Sequence, residues 1–148
     1  MLFEKIFFVK EKSYNVTSSA IMLNKIDIST LAEISEEPIE IINDITFIRN
    51  EFFNGEPMTI VGHNIGFDSS FLKQLYKKYD CDYCRDFSHR MIDTASILRY
   101  LYYAGKLEFD LSASDKAFDF FNISIKNRHS ALDDCKATME LFQKLIRI

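Results

Sequence analysis

Residues suited to catalysis follow a short apolar run at 58–61, which has the length and composition of a buried strand and is ended by Gly62. His63, Asn64 and Asp68 come within six residues of that strand end. Ligands of open α/β sheets bind beyond the carboxyl ends of the strands. The spacing therefore predicts a polar site in which Asp68 supplies a carboxylate.

Asp68 also has a structural interpretation, because the residues after it predict a helix. Apolar residues recur there at helical spacing, at Phe71, Leu72, Leu75 and Tyr76. Asp68 or Ser69 is suited to cap the first turn by accepting a hydrogen bond from a backbone N–H. Taken alone, the pattern favours a capping role for Asp68 over a catalytic one.

His129 and Asp134 form a second candidate pair at the start of a helix predicted from about Ser130 to Ile146. Five residues on a continuous helix place two side chains about 140° apart. The two side chains therefore converge only if His129 lies on the incoming loop. Taken alone, an exposed histidine ahead of a helix is more often solvated than catalytic.

Taken together, the two stretches resemble motifs II and III of the DEDDh exonucleases. The residues that carry the resemblance are N-x-x-F-D from Asn64 to Asp68 and H-x-A-x-x-D from His129 to Asp134. These enzymes are 3′-to-5′ exonucleases of the RNase H-like fold, and the family includes the proofreading epsilon subunit of bacterial DNA polymerase III. Two motifs in order, at family-like separation, are a specific signal.

The resemblance spans nearly the whole chain, because Ile92-Asp93-Thr94 and the stretch at 111–123 also match the family in order. It implies an α/β fold of RNase H-like architecture, with a mixed sheet flanked by helices. The 148 residues are predicted to form a single exonuclease-like domain.

The resemblance also implies roles for individual residues. Asp68 and Asp134 become ligands of two divalent cations, Mg²⁺ or Mn²⁺, since hard ions prefer oxygen. His129 takes the position of the general base, which suits a side chain that titrates near neutral pH. Contacts to the substrate, the 3′ end of single-stranded DNA or RNA, are implied for His63, Asn64, Phe67 and Arg128.

The family's first motif, D-x-E, supplies two more metal ligands and has no match in the 67 residues ahead of Asp68. We therefore expect the chain to lack the first two strands of the family fold and to show little or no turnover. The alternative is a catalytically defective module that binds nucleic acid or a protein partner without cutting. The strand edges left open also predict that the chain is either marginally stable or paired with a second copy or a fragment that fills the gap.

Composition narrows the possible partners. The net charge of −4 lacks the basic footprint of proteins that bind nucleic acid by neutralising phosphates. Metal ions in a nuclease site can offset local repulsion, and a DNA polymerase is a further partner implied by the resemblance. Three cysteines, and the lack of a secretory or membrane-spanning apolar run, predict a soluble cytoplasmic protein without membrane contact.

Three further sequence patterns have a structural interpretation as well as a functional one. Cys81-x-x-Cys84 with His89 offers only three zinc ligands, so free thiols are favoured. The tyrosines at 100, 102 and 103 beside Arg99 could stack nucleotides, although packing is favoured. The basic cluster at 126–128 suits either the substrate backbone or a solvated loop.

The remaining elements are predicted from periodicity and caps. A strand is expected at 2–9, and a helix is expected to begin near Ser35 and Pro38 and to end near Asn54-Gly55. Its buried face is predicted to contain Ile41, Ile42, Ile45, Ile48, Phe52 and Phe53. Further helices are expected at 94–103 and 111–121.

Overall fold

The computed structural model describes residues 3–13, 28–126 and 130–148. Its helices are α1 (Ile28–Ile34), α2 (Pro38–Phe53), α3 (Gly66–Lys78), α4 (Tyr83–Asp86), α5 (Thr94–Tyr103), α6 (Ser114–Phe120) and α7 (Ala131–Leu145). Its strands are β1 (Val61–Gly62) and β2 (Ile92–Asp93). This order confirms the α/β class.

The two strands lie side by side in parallel, with Val61 opposite Ile92 and Gly62 opposite Asp93. An isolated parallel bridge between Met58 and Phe87 continues the pairing toward the start of β1. Parallel neighbours need a crossover connection, which here contains α3 and α4. Both strands therefore end at the same edge, where the predicted motif II residues begin.

Buried apolar side chains form two clusters. One lies among α5, α6 and α7 and contains Leu98, Leu111, Ala117, Phe118, Ile123, Ala137, Leu141 and Leu145. The other lies among α2, α3 and α4 and contains Ile41, Ile42, Ile45, Tyr76, Tyr83 and Phe87. Helix α7 also contacts β1, so the helix that carries Asp134 lies against the strand that leads to Asp68.

A buried carboxylate joins the helices of the second cluster. Asp86 is 0% exposed and accepts hydrogen bonds from Thr46 Oγ1 at 3.0 Å, Tyr76 Oη at 3.0 Å and Arg85 Nη2 at 2.8 Å. The Nη1 atom of Arg49 lies 3.5 Å from its Oδ1. Burial alone would raise the pKa of Asp86, but the hydrogen bonds from Arg85, Thr46 and Tyr76 outweigh it and hold the pKa low.

The strand expected at 2–9 is wrong over its described part, whereas the expected start of α2 near Ser35 and Pro38 is confirmed. Within residues 3–9, only Val9 pairs, through a bridge to Glu36, so no regular strand forms there. Helix α2 has Glu37 as its N-cap instead of Ser35, whose buried hydroxyl has no hydrogen-bond partner in the described part of the chain. Pro38 then occupies the first turn, where its missing N–H is not needed.

The predicted end of α2 is confirmed, since Asn54 closes the helix with a left-handed φ of 52°. Its predicted buried face is correct for Ile41, Ile42 and Ile45 and wrong for Phe52 and Phe53, which are exposed. The last turn extends past the second cluster, and Phe52 stacks on Phe3 with ring centroids 5.5 Å apart.

In the three described ranges, none of the helices combines the length and the apolar character needed to cross a bilayer.

Candidate active site

The turn after β1 is shaped by close packing between Gly62 and Ile65. A Cβ atom on Gly62 would lie 2.3 Å from Ile65 Cδ1 and 2.9 Å from Ile65 Cβ. Contacts that short do not occur, so glycine is required at this position. Asn64 then adopts a left-handed φ of 59°, which asparagine tolerates better than most residues. The chain reverses within four residues, and α3 begins at Gly66.

Asp93, at the end of β2, fixes this turn. Its Oδ1 accepts a hydrogen bond from the backbone N–H of Asn64 at 2.7 Å, and its carboxylate also accepts from Ser96 Oγ at 2.6 Å and from the N–H of Ala95 at 3.3 Å. Burial alone would raise its pKa, but these hydrogen bonds outweigh it and lower the pKa. One carboxylate thus caps α5 and positions motif II.

His63 is held by the neighbouring chain segments. Its Nε2 lies 3.0 Å from the carbonyl oxygen of Ser112, and its Nδ1 lies 3.0 Å from Thr94 Oγ1. Because a carbonyl oxygen can only accept, Nε2 carries the hydrogen. Both ring nitrogens are therefore engaged inside the protein, and His63 ties β1 to the start of α5 and to the loop before α6.

Asp68 lies in the first turn of α3 and is exposed. The N-cap of this helix is Ile65, which makes no side-chain capping hydrogen bond. The interpretation of Asp68 as an N-cap is therefore wrong, because Asp68 is already inside the helix. Its carboxylate faces solvent at the edge of the sheet where β1 ends.

Asp134 lies in the first turn of α7 and is half-buried. Its backbone N–H donates to the carbonyl oxygen of Ser130 at 2.9 Å, and Ser130 is the N-cap of the helix. The positive end of the helix dipole favours a carboxylate in this turn. Arg128 and His129, which precede this helix, lie outside the described residues.

The Cys135 thiol is influenced electrostatically by two carboxylates, those of Asp68 and Asp134. The pKa of Cys135 is raised by desolvation and then by the charges of Asp68 and Asp134. Both carboxylates therefore act on the same side chain, although 66 positions separate them in the sequence (134 − 68 = 66). The fold brings motif II and motif III into one neighbourhood.

The donor chemistry of this neighbourhood suits a hard cation. Mg²⁺ is commonly bound through one or two carboxylates and keeps several of its waters. Within the described ranges, no three His, Cys, Asp or Glu side chains form a group that could hold a metal ion. Asp68 and Asp134 are two carboxylates of the type that such an ion accepts.

A polar cavity of about 650 Å³ adjoins the strand ends. Its lining includes His63, Asn64, Asp93, Arg99 and Ser112. Arg99 is tied to the cavity wall, since its Nη2 donates to Ser112 Oγ at 3.0 Å and its Nε lies 3.8 Å from Asp110 Oδ2. The cavity therefore contains two of the residues predicted to contact substrate, His63 and Asn64.

Sequence reasoning missed Asp93 and Cys135 as parts of this site. Asp93 directly precedes a helical pattern and has Ser96 three positions later, which is the signature of a capping residue. That signal could have found its role at α5, but not its hydrogen bond to Asn64, which depends on the parallel pairing of β1 with β2. No sequence signal indicates the proximity of Cys135 to Asp68, because it depends on the packing of α7 against β1.

The cysteines at 81 and 84 lie away from these carboxylates in the chain. Both thiols are free, Cys84 is exposed, and Cys81 Sγ lies 3.4 Å from the carbonyl oxygen of Tyr79. The short helix α4 runs through this segment, and Asp82 caps it by accepting from the N–H of Cys84 at 2.9 Å. The segment is thus more regular than its composition indicates.

Comparison with known families matches residues 4–142 to the RNase T exonuclease family model. The sequence is also similar to the PolC-type DNA polymerase III of Caldanaerobacter subterraneus subsp. tengcongensis, at 33% identity over 96 residues, covering 65% of this chain and 6% of that protein. It is 30% identical over 118 residues to the PolC-type DNA polymerase III of Clostridium perfringens, covering 69% of this chain and 8% of that protein. The matched stretch is thus less than a tenth of either polymerase.

Proposed function

Because the chain belongs to the RNase T exonuclease family, whose model spans residues 4–142, we propose that it acts on the 3′ ends of nucleic acid strands. The proposed reaction is metal-dependent hydrolysis of the terminal phosphodiester bond of DNA or RNA. The observation that supports it most strongly is the packing of α7 against β1, since it places the helix that carries Asp134 against the strand that leads to Asp68.

In this proposal Asp68 and Asp134 hold Mg²⁺ or Mn²⁺. The bound ions supply Lewis acidity toward the scissile phosphate and lower the pKa of a coordinated water. His129 serves as the general base that removes a proton from the attacking water. The side chains of Asn64, His63, Phe67 and Arg128 are proposed to position the 3′ end.

A second candidate is a module that binds nucleic acid or a protein partner without cutting. The observation that favours it is the lack of a D-x-E sequence ahead of Asp68. In the family that motif supplies two more carboxylates. A complete site for two cations would therefore need two ligands besides Asp68 and Asp134. The two candidates differ in turnover, and the second also allows a protein partner in place of nucleic acid.

The partners proposed for this chain are based on the same relatives. We propose association with a DNA polymerase, because the two relatives described above are DNA polymerases that contain a similar stretch. Pairing with a second copy through open strand edges remains a proposal as well. The 148 residues would act as one exonuclease-like domain, and three free thiols fit the reducing conditions of the cytoplasm.

The deciding experiment measures release of mononucleotides from a 3′-labelled oligonucleotide in Mg²⁺ or Mn²⁺, with binding of a 5′-labelled oligonucleotide measured in parallel. Asp68→Asn, Asp134→Asn and His129→Ala are the test variants. Asp133→Asn is the matched control, because Asp133 lies in the same first turn of α7. We expect metal-dependent release to be slow, since no D-x-E motif precedes Asp68, and the test variants to lower it by a further factor of about 100 or more, as for removal of a general base, while the control leaves it unchanged.

The two candidates give different results in these assays. Metal-dependent binding without release, lost in Asp68→Asn and Asp134→Asn, would establish the non-cutting module. Release that survives in Asp134→Asn, or in His129→Ala, would contradict the assigned roles.

A further inference from the structure

A second cavity lies between the last turn of α5, the loop at 104–113 and helix α6. Its volume is about 620 Å³, and its lining includes Tyr102, Glu108, Phe109, Asp119 and Phe120. We call this cavity the α5–α6 groove. It shares no lining residue with the polar cavity at the strand ends, so it is a separate feature of the surface.

The groove presents aromatic rings that the core does not use. Phe109 is 64% exposed, Phe120 is 52% exposed and Tyr102 is 37% exposed. Leu111, which also lines the groove, is 5% exposed and belongs to the buried cluster among α5, α6 and α7. The core is thus closed beneath the groove, and the rings above it gain free energy only when another apolar surface covers them.

The rim of the groove is acidic. Its lining contains three acids and one base, Lys116. One of the acids, Asp110, already faces a cation, since Arg99 Nε lies 3.8 Å from its Oδ2. Glu108 and Asp119 are exposed, and neither forms an ion pair within the described ranges of the chain. These two carboxylates are therefore available to a partner.

This charge indicates the chemistry of the partner. Carboxylates at the rim repel the phosphates of nucleic acids, which basic side chains would attract. They attract lysine and arginine side chains, and such complementarity favours one class of partner over others. Aromatic residues at the centre with charged residues at the rim are also the usual anatomy of a protein–protein interface.

We propose that the α5–α6 groove docks an amphipathic helix of a partner protein, whose apolar face covers Phe109 and Phe120 and whose lysines or arginines pair with Glu108 and Asp119. Recognition of this kind uses apolar anchors on one face of the partner helix, seated in a groove of the receptor. The inference goes beyond the proposed function and holds whether or not the chain cleaves nucleic acid.

The test selects a phage-displayed library of random helical peptides on the full chain. The enriched peptide is then synthesised, and its affinity is measured by fluorescence anisotropy. Phe109→Ala removes the most exposed ring of the groove. A double variant, Glu108→Lys with Asp119→Lys, reverses the charge of the rim. Cooperative thermal melts establish that both variants are folded.

Matched controls carry the same changes on α2 and just beyond it. Phe47→Ala removes a ring that is 60% exposed. Glu51→Lys with Glu56→Lys reverses two exposed acids. None of these three residues lines the groove.

We expect the enriched peptides to carry apolar residues at positions i, i+3, i+4 and i+7 with lysine or arginine beside them. Phe109→Ala should bind the peptide at least about 10-fold more weakly, the scale for truncation of an interface hot spot. Reversal of the rim charge should weaken binding at least about 5-fold, because like charges then face each other. A peptide with glutamates in place of its basic residues should recover part of that loss, and the controls should bind like the wild-type chain.

Failure to enrich such peptides, enrichment of acidic ones, or unchanged binding by Phe109→Ala and by the charge-reversed variant would overturn the inference. Competition by an oligonucleotide for the same groove would assign it to nucleic acid and also overturn the inference. Light scattering tests the remaining occupant. A dimer of the wild-type chain that Phe109→Ala dissociates, without peptide binding in the groove, would assign the groove to a second copy of the chain and contradict our proposal.

Discussion

Burial raises the pKa of the Cys135 thiol on α7, and the carboxylate of Asp68, in the first turn of α3, raises it further. The two residues are 67 positions apart (135 − 68 = 67), and Cys135 is the direct neighbour of Asp134. Packing of α7 against β1 creates this proximity, because β1 leads into the turn that begins α3. The relationship is what turns two sequence motifs into one candidate site.

The first prediction uses the Cys135 thiol as a probe of that proximity. In metal-free protein carrying Cys81→Ser and Cys84→Ser, Asp68→Asn should lower the pKa of Cys135 by removing a negative charge. Alkylation by iodoacetamide at mildly alkaline pH should then become a few-fold faster, since the thiolate is the reacting form. Glu140→Gln, five residues further along α7 than Cys135, serves as the charge control. An unchanged alkylation rate in Asp68→Asn would place the two side chains apart.

The second prediction concerns the carboxylate that fixes motif II. Asp93→Ala removes the cap of α5 and the acceptor for the Asn64 N–H, so the free energy of unfolding should fall by about 2 kcal/mol. Urea denaturation measures this change. Asp115→Ala, at an exposed acid in the first turn of α6, should change the free energy of unfolding by no more than about 0.5 kcal/mol. Equal effects of the two substitutions would show that Asp93 is not a tether.

The third prediction concerns pH and the buried Asp86. Its folded-state pKa lies below the value of about 3.9 for an unfolded aspartate. Its contribution to stability is therefore present above that unfolded value and is lost as the pH falls through the folded pKa. Asp86→Asn should lower the free energy of unfolding at neutral pH by about 3 kcal/mol, since it leaves Arg49 and Arg85 without their buried counter-charge.

Urea denaturation from neutral pH to about pH 3 tests the sign of this dependence. The wild-type chain should lose stability on acidification more steeply than Asp86→Asn, because the variant has no carboxylate to protonate at that position. Parallel pH profiles for the two proteins would show that Asp86 does not titrate with a lowered pKa.

The fourth prediction compares two glycines that flank the same turn. Gly62→Ala should destabilise the chain by about 1–3 kcal/mol, because the new Cβ would overlap Ile65. Gly66→Ala should be neutral or stabilising by up to about 1 kcal/mol, since no atom lies within 4 Å of its Cβ position and it begins a helix. Thermal melts of both variants provide the comparison. Similar losses in both would contradict the packing of Ile65 on Gly62.

Sequence periodicity located the helices well, because each apolar stripe faces a nearby core. The helix predicted at 94–103 has those bounds in the structure, and Leu98 on its inner stripe is fully buried. The helix predicted from about 130 to 146 is confirmed at Ala131–Leu145. Local spacing is enough to predict such helices, because only one face of each helix is buried.

The errors occur where burial depends on distant parts of the chain. Packing is the favoured interpretation of Tyr102, yet this side chain is 37% exposed and lines a second cavity with Phe120, which is 52% exposed. The helix expected at 111–121 is shorter, Ser114–Phe120, and Leu111 is buried ahead of it. No local pattern shows where the core ends.

Some features of the candidate site could likewise be predicted from the sequence, and others depend on the fold. Residue types and spacing identified Asp68 and Asp134, and the family resemblance supplied their proposed roles. The hydrogen bond from Asn64 to Asp93 follows from strand pairing, and the approach of α7 to the strand that leads to Asp68 follows from helix packing. Such contacts between distant segments cannot be predicted from the order of residues alone.

The most direct test of the central claim is paramagnetic broadening of backbone amide signals by Mn²⁺. Our account predicts that the amide signals around Asp68 and Asp134 broaden together at low Mn²⁺ concentration. Asp68→Asn and Asp134→Asn should each abolish the broadening at both positions, and Asp133→Asn should leave it intact. Broadening centred on only one of the two carboxylates, or elsewhere on the chain, would contradict a shared metal site.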